Sequence, residues 1–420
     1  MNYKKYTNNA FNLHIITTPN FKTNMIKINF KKRMDKIDIT YRNLLTKVLM
    51  QSNAKHKTIK EIEIATEDLY NLSLNASNLL SGNYIITSFN SVFLNEKYTE
   101  EGMFEKSLEF ILSTIFNPNV ENGEFKYFDL AKRLVKDEID TLKDDSKRYS
   151  QLRLLEEMDK GVLSYNPIGY MEDLEKITNK DLYLYYEELL KNSLIDIFII
   201  GNIDSEKTKD YIYKNFKVNT LKKPGNGHYI IHEKINKRAK TVKEQMPLEQ
   251  TKLCLGFKLD DLTDFEKKYV LNVYCFILGG GPDSKLFKNV REKNSLCYTI
   301  GCSYKPVSNI MVINAGINKD DSKKCINLIK KELIKMSKGD FSNTDIEAAI
   351  ITYINSLKDI EDNLPSILKI FESHEYLNFD LIDERCLNIK NVTKEDIINL
   401  TKKIHLTTIY LLEGETNEEN

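Results

Sequence analysis

Two polar side chains seven residues apart could do chemistry here: Arg291 and Tyr298, in the stretch LGGGPDSKLFKNVREKNSLCY (residues 278–298). Arg offers forked N–H donors and Tyr a directed O–H donor. Brought together, they can hold a peptide carbonyl and stabilise the oxyanion that forms on attack. The plainer reading is an exposed Arg beside a half-buried strand Tyr. Either way, Asn294–Ser295 breaks a basic helix and LCYTIGC (296–302) reads as a strand, so the pair flanks a turn. Gly279, Gly280 and Gly281 come just before. A phosphate loop needs GxxxxGK followed by Ser or Thr. Here Gly281 is followed by Pro-Asp-Ser-Lys, and Pro282 removes an N–H donor. The glycines predict instead a helix C-terminus with a left-handed residue, with Asp283 or Ser284 capping KLFKNVREK. They also leave room for another backbone to approach closely.

Metal chemistry has one local anchor. His228 and His232 are four apart, but the intervening Tyr-Ile-Ile favours a strand, which would separate them by roughly 13 Å. Only a helix would let them share a metal. His14, His56, His374 and His405 are isolated, and the six cysteines contain no CxxC pair, so reduced core thiols are expected.

The elements that must position these residues occur twice. MIKINF (25–30) resembles KLCLGF (252–257), and each is followed by a helix, YRNLLTKVLM (41–50) or YVLNVYCFIL (269–278). Turns QSNA (51–54) and GGGP (279–282) follow. SLNAS (73–77) then matches TIGCS (299–303), and NYIITSFNS (83–91) matches NIMVINAGI (309–317), all at an offset of 226–228. Later TLKD (141–144) resembles SLKD (356–359) at 215. This predicts two homologous α+β domains, 1–220 and 251–420, joined by a linker over 221–250 that Pro224, Gly225 and Gly227 punctuate. EKSLEFILSTI (105–115) and KKCINLIKKELIKM (323–336) carry helical spacing.

Bulk properties exclude several classes. The 420 residues carry 61 basic and 61 acidic side chains, a balance unlike that of a nucleic-acid binder. No apolar run reaches membrane-spanning length, and the longest, IDIFII (195–200), has strand length. The N-terminal MNYKKYTNNAFNLHII has no signal-peptide pattern, so the cytoplasm is the default expectation.

With these residues assembled, the stretch GGGPDSKLFKNVREKNSLCY resembles the second-domain signature of the insulinase/pitrilysin family of zinc metallopeptidases, the inverted zincins. TEDLYNLSLNA (66–76) resembles the segment after that family's zinc helix, and SLIDIFIIGNI (193–203) the strand that ends its first domain. The resemblance implies paired domains, each an antiparallel-rich sheet with helices on one side, forming half a clamshell. It also implies an H-x-x-E-H motif on the first long helix, whose two His bind zinc while the Glu serves as base, and a later Glu as third ligand. Here Asn43-Leu44-Leu45-Thr46-Lys47 stands at those positions, and Glu138 resembles the third ligand. No His lies between His14 and His56, so no slip of register restores the motif. The chain thus resembles the non-catalytic bacterial members that accompany a zinc-bearing relative. That implies a subunit with no metal of its own, which binds peptide substrate and presents Arg291, Tyr298 and the glycine loop to a partner's zinc site. Two other expectations stand beside it: a structural or peptide-binding homologue that forms a homodimer without a protease partner, and a self-sufficient zinc peptidase anchored on His228 and His232.

Overall fold

The computed structural model describes residues 1–216, 228–232, 235 and 238–414. Pro224, Gly225 and Gly227 of the expected linker lie outside them. The chain divides into two compact units.

The first unit takes Met1–Thr141, the chain from Tyr165 through the helix Ser205–Asn215, and Leu364–Leu368. Its strands are β1 (Asn2–Thr7), β2 (Asn12–Thr17), β3 (Thr23–Arg33), β4 (Ser73–Ser81), β5 (Tyr84–Leu94), the short hairpin pair β6 (Val120–Glu121) and β7 (Glu124–Phe125), and β8 (Leu194–Gly201). The six long strands run in the order β1-β2-β8-β3-β5-β4, antiparallel except for the parallel pair β2–β8. Its helices include α1 (Lys36–Leu49), α2 (Ile59–Asp68), α3 (Met103–Phe116) and α4 (Phe128–Asp140). After α5 (Ser146–Met158) come α6 (Met171–Lys176), α7 (Asn179–Asn192) and α8 (Ser205–Asn215). Alternate residues of the strands, among them Ile26, Ile28, Phe30, Ile195, Ile197 and Ile199, bury one face against Leu44, Leu45 and Val48 of α1 and Leu108 and Ile111 of α3.

The second unit repeats this plan. Its strands are β9 (Lys240–Met246), β10 (Thr251–Leu259), β11 (Cys297–Lys305), β12 (Ile310–Ile317) and β13 (Ile404–Gly414), in the order β11-β12-β10-β13-β9. All pairs are antiparallel except β9–β13. Strand for strand this is β4-β5-β3-β8-β2, with the parallel pair at the same place. MIKINF lies on β3 and KLCLGF on β10, both inside their sheets. The helices are α9 (Leu271–Gly279), α10 (Ser322–Ser337), α11 (Asn343–Ile360), α12 (Leu364–Leu377), α13 (Ile382–Asn388) and α14 (Lys394–Thr401). Two π-helical turns, Glu266–Val270 and Phe287–Glu292, flank α9.

The expected boundaries need two corrections. Residues 240–246 are not linker but strand β9, whose polar sequence KTVKEQM suits a solvent-facing edge. The segment Leu142–Ser164, expected in the first domain, groups with the second unit. There α5 covers the opposite sheet face, where Tyr149, Leu154 and Met158 cluster with Cys254, Val312, Tyr410 and Leu412. Glu244 of β9 fastens it, accepting from Tyr149 and Tyr410 hydroxyls and from Arg153 Nε. Gly256 leaves room for this contact: a Cβ there would force the Met158 side chain to move.

Candidate functional site

In the first unit α1 and α4 pack together. Lys47 of α1 and Glu138 of α4, 91 residues apart in sequence, meet as an ion pair with Nζ 2.5 Å from Oε1. Both are partly solvent-exposed, so this pair contributes little to stability, about 0–1 kcal/mol. Asn43, one turn before Lys47, donates from Nδ2 to the carbonyls of Pro167 (2.8 Å) and Ile168 (2.7 Å). Its Oδ1 accepts from Asn78 Nδ2 at 2.7 Å. Thr46 Oγ1 donates to the Asn43 carbonyl at 3.0 Å. An amide, a hydroxyl and an ammonium are not the imidazole, thiolate and carboxylate donors that zinc takes, and the ammonium occupies the one carboxylate. Zinc does not fit this set. Among the described residues no group of three or more His, Cys, Asp or Glu is placed to hold a metal ion.

Behind these positions runs a polar chain that sequence reasoning missed. Asn78 Oδ1 accepts from Thr87 Oγ1 at 2.7 Å, and Thr87 Oγ1 accepts from Arg42 Nη1 at 2.9 Å. Arg42, fully buried, also donates to the Phe30 carbonyl (2.8 Å) and to Tyr185 Oη (3.1 Å). Tyr185 in turn donates to Asp38 at 2.7 Å. Burial pushes the Tyr185 phenol far above its usual range, keeping it a donor at any physiological pH. The signal was present: Arg42 stands three residues after Ile39 and three before Leu45, on the apolar stripe of α1, with Asp38 one turn earlier.

In the second unit the glycine loop and the Arg–Tyr pair lie where α9 meets β11. The expected left-handed cap is not found: Gly280 has φ −87°, and none of Gly279, Gly280 and Gly281 has positive φ. Space is the reason for glycine instead. A Cβ on Gly279 would stand 2.8 Å from both Cβ and backbone N of Cys302, and one on Gly280 2.6 Å from Phe276 Cα, whereas Gly281 faces nothing within 4 Å. Gly279→Ala is therefore expected to destabilise by about 1–3 kcal/mol. Gly281→Ala should stay within about 0.5 kcal/mol. Urea-unfolding midpoints of the two variants check this; equal midpoints would remove the packing role.

Ser284 Oγ accepts weakly from Phe287 N at 3.4 Å, and Ser295 (φ 51°) ends the helix as expected. Arg291 is exposed, its guanidinium carbon 4.5 Å from the Phe287 ring centre. Tyr298 is 62% exposed. Cys297 pairs with Ile317 and Thr299 with Gly316, so Tyr298 is the extra residue of a β-bulge. A bulge bends its strand and re-aims a side chain, and such bulges concentrate beside active sites.

A family profile described as the peptidase M16 inactive domain matches residues 176–353. The probable inactive metalloprotease YmfF of Bacillus subtilis (strain 168) is 30% identical over 425 residues, covering 99% of this chain and 98% of that protein. The chain belongs to the M16 peptidase family, the insulinase/pitrilysin group. An uncharacterized zinc protease of the same bacterium, YmxG, is 26% identical to this M16 chain over 258 residues, 59% of this chain and 57% of that protein. Among solved structures, a conserved protein from Enterococcus faecalis V583 shares the fold with TM-score 0.92 and 24% identity over 100% of both chains. As an M16 member this chain is similar to relatives of the inactive kind.

The His228–His232 reading is corrected. The segment is neither strand nor helix. His228 stacks on Tyr376, while the buried His232 places Nε2 3.0 and 3.1 Å from the carbonyls of Ser308 and Asn309. Two carbonyls fix the proton on Nε2. Burial and the nearby Lys258 ammonium hold this imidazole below its usual range. The unfolded imidazole takes a proton near pH 6.5, the folded one only lower, so this stabilisation is present above about pH 6.5 and is lost as pH falls. The urea midpoint is expected to drop between about pH 7.5 and 5.5. His56 is depressed by burial too, so the comparison that isolates His232 is with His232→Gln, which keeps a donor for the carbonyls and should flatten the profile. An unchanged slope in that variant would overturn the assignment.

Proposed function

We propose that this M16 chain is the non-catalytic subunit of a two-chain zinc peptidase. It binds unfolded peptide and presents Arg291 and Tyr298 to a metal site on a zinc-bearing M16 relative, and it works in the cytoplasm. The duplicated domain plan and the half-clamshell assembly belong to this reading. The observation that carries it is Tyr298, lifted out of its ladder by a bulge and left largely exposed, one helix turn and a loop away from an exposed Arg291. The lost zinc set on α1 supports it from the other side: the apparatus for holding substrate is kept while that for holding metal is replaced by an ion pair. That one bacterium carries both a probable inactive relative and a zinc protease relative supports a paired mode of action.

The test is zinc content and peptide hydrolysis of the purified chain alone, of the zinc-bearing relative alone, and of the mixture. No metal and no hydrolysis from this chain, with hydrolysis by the mixture well above that of the relative, is the expected result. Stoichiometric zinc and turnover in the isolated chain would overturn the proposal. A mixture no more active than its zinc-bearing component, with this chain running as a homodimer, would replace it with a structural or peptide-binding role.

A further inference from the structure

Away from the Arg–Tyr pair, the second unit holds a cavity of about 190 Å³ between the end of α5 and the sheet, bordered by Glu157, Asp159, Lys160, Lys240, Lys258 and Thr408. Its acceptors are already taken. Glu157 Oε2 accepts from Lys240 Nζ at 2.8 Å. Asp159 accepts the backbone N–H groups of Lys160 (2.7 Å) and Gly161 (3.1 Å) and, at 3.3 Å, Lys258 Nζ.

Its donors are not. Lys258 is 9% exposed, an unusual depth for an ammonium, which carries three N–H donors. The Thr408 hydroxyl, on a fully buried residue, has no hydrogen-bond partner among the described residues. A buried polar group without a partner costs roughly 1–3 kcal/mol in a native structure and calls for an explanation. The backbone adds another observation. Gly256 pairs with Thr408 and Phe257 with Leu406, so Thr407 is the extra residue of a second β-bulge, its hydroxyl turned to the Gly256 carbonyl at 3.2 Å. This irregularity falls at the cavity wall. The lining carries three ammonium groups against two carboxylates, each already accepting from a lysine, so a further acceptor carrying negative charge would balance it.

We propose that this cavity binds a small oxyanion, a phosphate or a carboxylate, held by Lys258 Nζ and Thr408 Oγ with Lys160 and Lys240 at its mouth. The site does not depend on the partner-subunit reading. Charge-assisted hydrogen bonds of this kind are about twice as strong as neutral ones, which suits a compact anion in a small space.

The experiment is calorimetric titration of the full chain at fixed ionic strength with inorganic phosphate, then with a short acetylated peptide as its free acid and as its C-terminal amide. Phosphate or the free acid is expected to bind saturably. Lys258→Met should weaken that binding by at least about 10-fold and Thr408→Val by roughly 3- to 10-fold. Binding of the free acid but not the amide, in competition with phosphate, assigns the site to a peptide carboxylate; binding of phosphate alone assigns it to a phosphate. If Lys258→Met does not fold, Thr408→Val decides by itself, since its shape is conserved. No saturable binding of either ligand at millimolar concentration, or binding that neither substitution weakens, would overturn the proposal.

Discussion

Replacing Arg291 by Ala and Tyr298 by Phe together is expected to cut turnover of the reconstituted pair by about 100- to 1,000-fold, the scale of losing preorganised oxyanion donors. The argument rests on where the side chains stand. Tyr298→Phe removes one oxygen from a ring that is already 62% exposed, so nothing in the core of this chain is disturbed. Arg291 spends its face on Phe287 and leaves its N–H edge to solvent, and no ion pair holds it among the described residues. The loss should therefore fall on kcat more than on KM, because an oxyanion exists only after attack. Arg291→Lys should recover little, since an ammonium cannot reproduce the planar fork. The measurement is steady-state kinetics of the mixture with each single and the double variant, with unfolding midpoints as a folding control. A double variant as active as the parent would sink the presentation role while leaving complex formation open to other causes.

The second large effect is a gain. Asn43→His, Thr46→Glu and Lys47→His together should turn an α1 that carries no zinc ligand at these positions into one that binds zinc at micromolar Kd or tighter, roughly −8 kcal/mol. Positions 43 and 47 share one face of α1, and Lys47 already touches Glu138. Removing the ammonium frees that carboxylate as a third ligand. An imidazole at position 43 would inherit the Pro167 or Ile168 carbonyl that Asn43 now donates to, the kind of outer partner that orients such a ring on a metal. The control retains Lys47 and changes only the other two positions; it should bind no zinc, because the ion pair remains. Dialysis against zinc with elemental analysis reads both. If the triple variant binds none, then α1 and α4 do not converge on a common ligand point.

What the sequence made legible was local and periodic. The offset between the two halves could be read because each strand and helix carries its own apolar pattern, and the topology returned the same order twice. The bulge at Tyr298 and the crowding at Gly279 could not be read, since both depend on what β11 meets across space. Strand β9 was mistaken for linker because an exposed edge needs few apolar residues, and its partner β13 lies far along the chain. Glu138 was legible only through resemblance; nothing in AKRLVKDEID says that Lys47 will find it. That helix α5 belongs with the second unit was not legible because its buried residues, Tyr149, Ser150, Leu154 and Met158, are few and their partners Cys254, Val312, Tyr410 and Leu412 lie far along the chain.

This separation has a bearing on how the chain can be made. Helix α5 leaves the ribosome about 250 residues before β13, the strand that carries Tyr410 and Leu412 to meet it. At about 5–20 residues per second this is an interval of roughly 10–50 seconds. Until β9 and β10 emerge the helix has no strand to rest on, and until β13 its sheet face is incomplete. Its surroundings can fold early; it must wait. That segment of the nascent chain is where a holding chaperone is expected to act, and a split of the gene within 217–227 would part α5 from the sheet it packs on.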